Sequence, residues 1–171
     1  MDAPTFDYLL RLAALSIAFV GFSSIVVTLR RGLGGELSAF HVLLVHIYIE
    51  TGLIVTVGAL LPPLLNLFSI TSSLIWQVSS ATGGVLAPII LIAYISRRAK
   101  VDRSPIPARI YTRYALSAIA VIALWMNALG FGIGPSGAPY AVALTLFLFT
   151  AGLAFVQTLD EVLYGPAGRK H

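Results

Sequence analysis

The stretch that decides the fold is residues 97–113, RRAKVDRSPIPARIYTR, which carries six of the eleven Lys and Arg residues of the chain. A long segment without any charge lies on each side of it, residues 51–96 before it and residues 114–159 after it. A helix needs about 20 mostly apolar residues to cross a bilayer. Each uncharged segment is therefore long enough to contain helices that cross a membrane. The basic stretch is expected to connect these helices outside the membrane.

Turn signals divide the whole chain into five apolar runs. Pro62 and Pro63 close the second run, and the cluster Gly134-Pro135-Ser136-Gly137 separates the last two. The sequence predicts an all-α membrane protein with five transmembrane helices in a compact bundle, residues 1–171 forming a single integral membrane domain. The predicted spans are residues 8–29, 40–61, 73–96, 114–133 and 140–159.

The bulk composition excludes several classes of protein. Of the 171 residues, 58% are hydrophobic and 11% are charged, and the mean hydropathy is +0.92, whereas a soluble domain carries about 25% charge. The net charge of +4 is explained by basic cytoplasmic connections, and no nucleic-acid motif is present, so we expect no nucleic-acid partner. The chain has no cysteine, which excludes disulfides, thiolate metal sites and cysteine nucleophiles.

The positions of the basic residues predict an orientation. All Lys and Arg residues except Arg11 lie in the connections after the first and third spans or in the C-terminal tail. Basic residues favour the cytoplasmic side, so we predict an N-terminus outside and a C-terminus in the cytoplasm, in the cell membrane (the cytoplasmic or inner membrane). Arg11 is one helical turn from Asp7, which predicts an ion pair between them.

Glu50 is the one acidic residue well inside an apolar run. It lies roughly 15 Å from the cytoplasmic start of its helix, close to the membrane midplane, with no Lys or Arg expected at that depth. Such residues usually face the bundle or a cavity, because an unpaired charge there costs several kcal/mol. His46 lies one turn before Glu50 on the same face. The pair is a candidate proton-accepting or cation-binding site, and the alternative is a structural pair bonded to neighbouring helices.

A proline in the third span adds to this hypothesis. Pro88 cannot donate to the carbonyl of Gly84, so that carbonyl needs another partner. Gly84 also falls near the midplane, and we therefore include it with Glu50 and His46 in the predicted ion or proton site; which metal it would take is unknown. The alternative is that Ser80, Gly84 and Ala87 form a small-residue stripe for close helix packing.

Other intramembrane residues favour helix packing. Asn127 and Gln157 are expected to form hydrogen bonds between helices. Trp76 is expected to be an interfacial anchor, and Trp125 is expected to pack in the core. Three further small-residue stripes are predicted to lie at helix contacts: Ala14, Ala18 and Gly21; Ala120, Ala123 and Asn127; and Thr150, Ala154 and Gln157.

The basic connection and the histidines bear on partners and cofactors. Four basic residues are candidates for contact with anionic lipid head groups, although setting the orientation also accounts for them: Arg97, Arg98, Lys100 and Arg103. His41 and His46 point to opposite sides of one helix, so a single chain cannot supply two facing imidazoles to a haem. We predict no cofactor and no catalytic residue.

Three functions fit these observations. The first is an oligomeric ion or proton permeation or transport protein that uses Glu50 and His46, because five helices enclose too little space for a sizeable pore in one chain. The second is a non-catalytic accessory or assembly subunit of a membrane complex. The third, an intramembrane enzyme or redox subunit, lacks candidate catalytic groups. The expected partners are the lipid bilayer and either further copies of the chain or another membrane protein.

Overall fold

A computed structural model describes residues 3–32, 39–101, 108–132 and 134–164 of the chain. Its secondary structure in these ranges is helical, and all five helices are long and apolar enough to cross a membrane. This confirms the prediction of an all-α fold with five helices long and apolar enough to span a membrane, and it is compatible with a multi-pass membrane protein. The orientation and the identity of the membrane stay predictions. The helices are α1 (Ala3–Gly32), α2 (Ala39–Asn66), α3 (Ser72–Val101), α4 (Ala108–Leu129) and α5 (Gly137–Tyr164).

The central helices of the bundle are α2 and α5. Helix α2 packs against α1, α3 and α5, and α5 also packs against α4. Helices adjacent in sequence run in opposite directions, so α1, α3 and α5 begin where α2 and α4 end. We call this end of the bundle the aromatic end, and we call the other, where Arg97, Arg98 and Arg113 lie, the basic end.

Helix α2 continues past the prolines that were expected to close it. It includes Pro62 and Pro63 and ends at Asn66, so the predicted end of the second span was too early. Pro62 has no N–H to donate to the carbonyl of Gly58 four residues earlier. The Tyr140 hydroxyl on α5 donates to that carbonyl instead, at 2.7 Å. A neighbouring helix therefore satisfies the group that the proline frees, and the helix tolerates the proline.

The turn between α4 and α5 confirms the division of the last uncharged segment. Helix α4 ends at Leu129, earlier than predicted, because Gly130 adopts a positive φ of 73°. The Phe131 amide donates to the Met126 carbonyl at 2.9 Å, and the Gly130 amide donates to the Asn127 carbonyl at 3.3 Å. This is a Schellman C-cap, in which glycine takes the left-handed position without steric cost.

A hydrophobic cluster packs at the aromatic end. The predictions for both tryptophans are wrong. Trp76 is 1% exposed, and its ring stacks on Phe6 with centroids 5.5 Å apart; it is a core residue, not an interfacial anchor. Gly137 makes room for it, since a Cβ there would lie 2.8 Å from the ring. Trp125 is 39% exposed and lies at the bundle surface, opposite to the expectation.

Two further predictions about α1 have different outcomes. The ion pair is confirmed, with Arg11 Nε 2.9 Å from an Asp7 carboxylate oxygen. The predicted packing stripe of α1 is wrong, because its three residues are exposed, whereas the stripes of α3, α4 and α5 lie at buried or half-buried positions. Larger residues and serines on the other side of α1 face the bundle instead: Leu9, Leu12, Ser16, Val20 and Ser23.

Candidate functional site

Glu50 forms an ion pair with Arg97 of α3. The distance between Glu50 Oε1 and Arg97 Nη1 is 3.0 Å, and the side chains are 41% and 55% exposed, respectively. The prediction that no basic residue reaches the depth of Glu50 is therefore wrong. The sequence placed Arg97 in the connection after the third span, but α3 continues to Val101. Arg97 is thus on the helix itself, and the length of an arginine side chain lets its head lie apart from its own Cα.

Glu50 and His46 lie on the outward side of α2. Helical periodicity puts them on one stripe with Leu53, Val57 and Leu60, all of which are exposed. His46 is exposed too, and Glu50 is intermediate. The two predicted residues therefore lie on one face of α2, as expected. This face points away from the bundle, whereas we expected it to point towards the bundle interior.

Gly84 does not join this pair. Its carbonyl, which Pro88 leaves without a helical donor, accepts a hydrogen bond from Trp125 Nε1 at 3.1 Å. Gly84 therefore faces α4, and thirteen residues, a rise of about 20 Å, separate it from Arg97 on α3. A Cβ on Gly84 would lie 3.1 Å from the same indole nitrogen. The predicted free carbonyl exists, but an indole from the neighbouring helix is its partner.

Gly58 and Gly84 share one arrangement. Each precedes a proline by four residues, each carbonyl accepts from an aromatic side chain of another helix, and a Cβ on either glycine would meet that side chain within 3.4 Å. Glycine favours this arrangement because it lets the donor approach the backbone closely, where a Cβ would be tight against its neighbours. This supports the packing interpretation of Gly84 over its use as an ion ligand.

The residues proposed to contact lipid head groups differ in accessibility. Arg97 is paired with Glu50, and Lys100 is exposed. Arg98 is 5% exposed, so its side chain is buried within the bundle. Arg103 lies outside the described residues, as does the side chain of His41.

Both amides predicted to link helices do so. Asn127 Nδ2 donates to the Ser80 hydroxyl at 2.8 Å and to the Ser136 carbonyl at 3.0 Å, and its Oδ1 accepts from the Ser136 amide at 2.9 Å. Asn127 thus ties α4 to α3 and to the turn that leads into α5. Gln157 Oε1 accepts from Arg113 Nη1 at 3.2 Å, which links α5 to α4.

Arg113 is the residue that sequence reasoning missed. It is 7% exposed and lines a cavity of about 80 Å³ between α2, α3, α4 and α5. We assigned it to the basic connection, but α4 begins at Ala108, so Arg113 is in the second turn of a membrane-spanning helix. Pro107, directly before that helix, was the available signal, because proline is common where helices begin.

Metal binding has limited support in the described part of the chain. No three side chains among His, Asp and Glu converge there. A cation at Glu50 would therefore need water, carbonyl groups or another copy of the chain to complete its ligands.

Comparison with known proteins gives no family for this chain. No protein-family model matches the sequence, and no curated protein or solved structure matches it.

Proposed function

We propose that this multi-pass membrane protein is an oligomeric ion or proton permeation protein. Its path runs along the outward face of α2, past Glu50 and His46, at the contact between protomers. The observation that carries the proposal is the exposure of the Glu50–Arg97 ion pair and of His46 on the outer surface of a bundle of apolar helices.

The cost of a charge in lipid supports an interface at this face. A charged residue in the middle of a membrane helix costs about 3 kcal/mol on insertion scales. Pairing with Arg97 reduces this cost, but roughly half of each side chain is still exposed. A second protomer or a hydrated path between protomers would remove these groups from lipid.

The closed interior of one bundle argues against a path through its centre. At the aromatic end, Trp76, Leu124 and Tyr140 are buried in one cluster that joins several helices. Packed side chains of this kind leave few voids larger than a water molecule. A path between protomers avoids this barrier, and symmetric assembly is the usual way in which small subunits enclose a pore.

Arg97 and His46 define how Glu50 would work in such a path. The carboxylate is bound to Arg97 in the resting arrangement, and an incoming proton or cation competes with the guanidinium for it. Protonation neutralises Glu50 and weakens its attraction to Arg97. His46, one turn away on the same stripe, is then the next group able to accept the proton.

Proteoliposome flux measurements test this function. We expect wild-type protein to carry proton or cation flux and Glu50→Gln to lower it at least about tenfold, since the amide cannot exchange a proton. Asp7→Asn is the matched control, because Asp7 also pairs with an arginine but is at the aromatic end; it should leave flux unchanged. Absence of flux in wild type, or equal flux in Glu50→Gln, would contradict the proposal.

The second candidate is an accessory subunit in which the same outward face binds a different membrane protein. The exposure of Glu50, His46 and Arg97 supports this function as well. It predicts a monomer when the chain is purified alone, whereas permeation between protomers predicts a defined oligomer. Light scattering in detergent and in lipid nanodiscs distinguishes the two, with Glu50→Gln retaining the fold in both cases.

A further inference from the structure

Two buried hydrogen-bond donors that have no partner in the described part of the chain line the cavity between α2, α3, α4 and α5. They are Arg113 Nε and the Tyr94 hydroxyl, and both side chains are more than nine-tenths buried. We propose that this cavity is a binding site for a small oxyanion, a carboxylate or phosphate group, held by Arg113 and Tyr94. This site is separate from the outward Glu50 site and does not depend on the proposed permeation.

The orientation of the guanidinium favours an oxyanion. Nη1 of Arg113 donates to Gln157, which leaves the edge that contains Nε for another acceptor. The Nε edge of an arginine presents two parallel N–H groups, and these match two oxygens of a carboxylate or phosphate. The Tyr94 hydroxyl, which lines the cavity from α3, adds a third donor.

Two of the other hydroxyls that line the cavity are engaged as donors within their own helices. Thr51 donates to the Ile47 carbonyl at 2.6 Å, and Thr150 donates to the Phe147 carbonyl at 2.8 Å. Their oxygens stay available as acceptors only. The hydroxyls of Tyr114 and Ser117, both half-buried, also line the cavity. Arg113 and Tyr94 are the more deeply buried donors, which makes them the residues to vary.

The positive charge of Arg113 also favours an anion as the ligand. Gln157, the partner of Arg113 among the described side chains, is neutral, and a buried charge costs several kcal/mol unless it is compensated. Arg98, itself buried, is close enough to add its positive potential at Arg113. An anion compensates both charges, whereas a water molecule satisfies the hydrogen bonds without neutralising either.

The size and lining of the cavity limit what can bind. At about 10–15 Å³ per water, a cavity of about 80 Å³ holds several waters or one small acidic group. Its other walls are apolar and include Ile54, Val55 and Leu91. The acidic group would therefore be either a free ion or the head of an amphiphile whose chain lies along these walls.

Ligand-dependent thermal stability tests the site. Purified protein in a neutral detergent would be titrated with sodium phosphate, sodium acetate, decyl phosphate or sodium laurate, in a constant excess of sodium chloride. A rise in the unfolding temperature with phosphate or acetate indicates a free oxyanion, and a rise only with decyl phosphate or laurate indicates the head of an amphiphile. Either result supports the site, and no rise with any of the four overturns it.

Two variants and a control test whether ligand binding depends on Arg113 and Tyr94. Arg113→Gln should weaken the measured Kd roughly 10- to 100-fold, the loss of a charged hydrogen bond, and Tyr94→Phe about two- to tenfold. Arg11→Gln is the matched control, because Arg11 is an exposed arginine at the other end of the bundle. Unchanged Kd in Tyr94→Phe, which preserves the ring and the packing, overturns the assignment even if Arg113→Gln does not fold.

A final variant tests whether an acidic residue of the chain itself occupies the position proposed for the ligand. Asp160 and Glu161 follow Gln157 by one helical turn in the sequence, and their side chains lie outside the described residues. If wild type binds none of the four probes but Asp160→Asn/Glu161→Gln does, the natural acceptor is one of these carboxylates and the proposal of an external oxyanion is wrong.

Discussion

The two ends of the bundle differ in how the aromatic and amide donors of their side chains are paired. At the aromatic end, the donors of Trp125, Asn127 and Tyr140 each have an acceptor on another element of the chain. Towards the basic end, the hydroxyls of Tyr48 and Tyr94 have no partner among the described residues, and neither do the smaller hydroxyls of Ser79 and Ser136 at the aromatic end. The first group holds helices together, since a polar group in a membrane bundle is stabilising only when it is paired. Of the second group, Tyr94 lines the cavity, where a ligand would meet its hydroxyl.

The largest expected effect is at Asn127, which makes three hydrogen bonds in the aromatic half. Asn127→Leu keeps a branched side chain of similar shape but leaves the Ser136 amide and the Ser80 hydroxyl without this partner, which should lower the free energy of unfolding by about 3 kcal/mol. Ser80→Ala removes one of the three bonds and should cost about 1 kcal/mol. Unfolding in SDS, followed by tryptophan fluorescence, measures both. Equal losses for the two variants would mean that Asn127 does not tie the turn to α3.

A smaller effect is expected at the first residue of α5. Gly137→Ala brings a Cβ within 2.8 Å of the Trp76 ring, and overpacking of this kind costs about 2 kcal/mol. Gly152→Ala is the control on the same helix, because a Cβ there meets no atom within 4 Å. It should leave stability unchanged or raise it slightly, since alanine favours helix more than glycine does. A similar loss in both variants would show that the aromatic end is not closely packed around Trp76.

The smallest expected effect is the difference in stability between one tyrosine variant at the aromatic end and another towards the basic end. Tyr140→Phe removes the hydrogen bond to the Gly58 carbonyl, which Pro62 cannot satisfy, and should lower stability by about 1 kcal/mol. Tyr94→Phe removes a buried hydroxyl that has no partner among the residues with described side chains, so without ligand it should be neutral or slightly stabilising. The same unfolding measurement in ligand-free protein compares them. A loss at Tyr94 as large as that at Tyr140 would mean that the two ends do not differ in this way.

Sequence reasoning succeeded where a residue type has one dominant consequence in a membrane. The uncharged segments predicted five spans, and Pro88 predicted a free carbonyl at Gly84. It failed for Trp76 because apolar burial depends on which helices meet, not on distance from the end of a span. It failed for Arg97 and Arg113 because the charge pattern predicts basic residues in the connections between helices. Helices α3 and α4, however, each continue one or two turns beyond their uncharged segments.

The sequence by itself determined the number of helices, the apolar surface that places them in a membrane and the backbone groups that prolines leave unpaired. These properties follow from local chemistry, the transfer of apolar residues from water and the missing N–H of proline. The tertiary structure alone decided which partner each polar group receives. Glu50 is paired with Arg97 on the outer face, and Arg113 lies in a cavity, because helix length and packing bring together residues far apart in the chain.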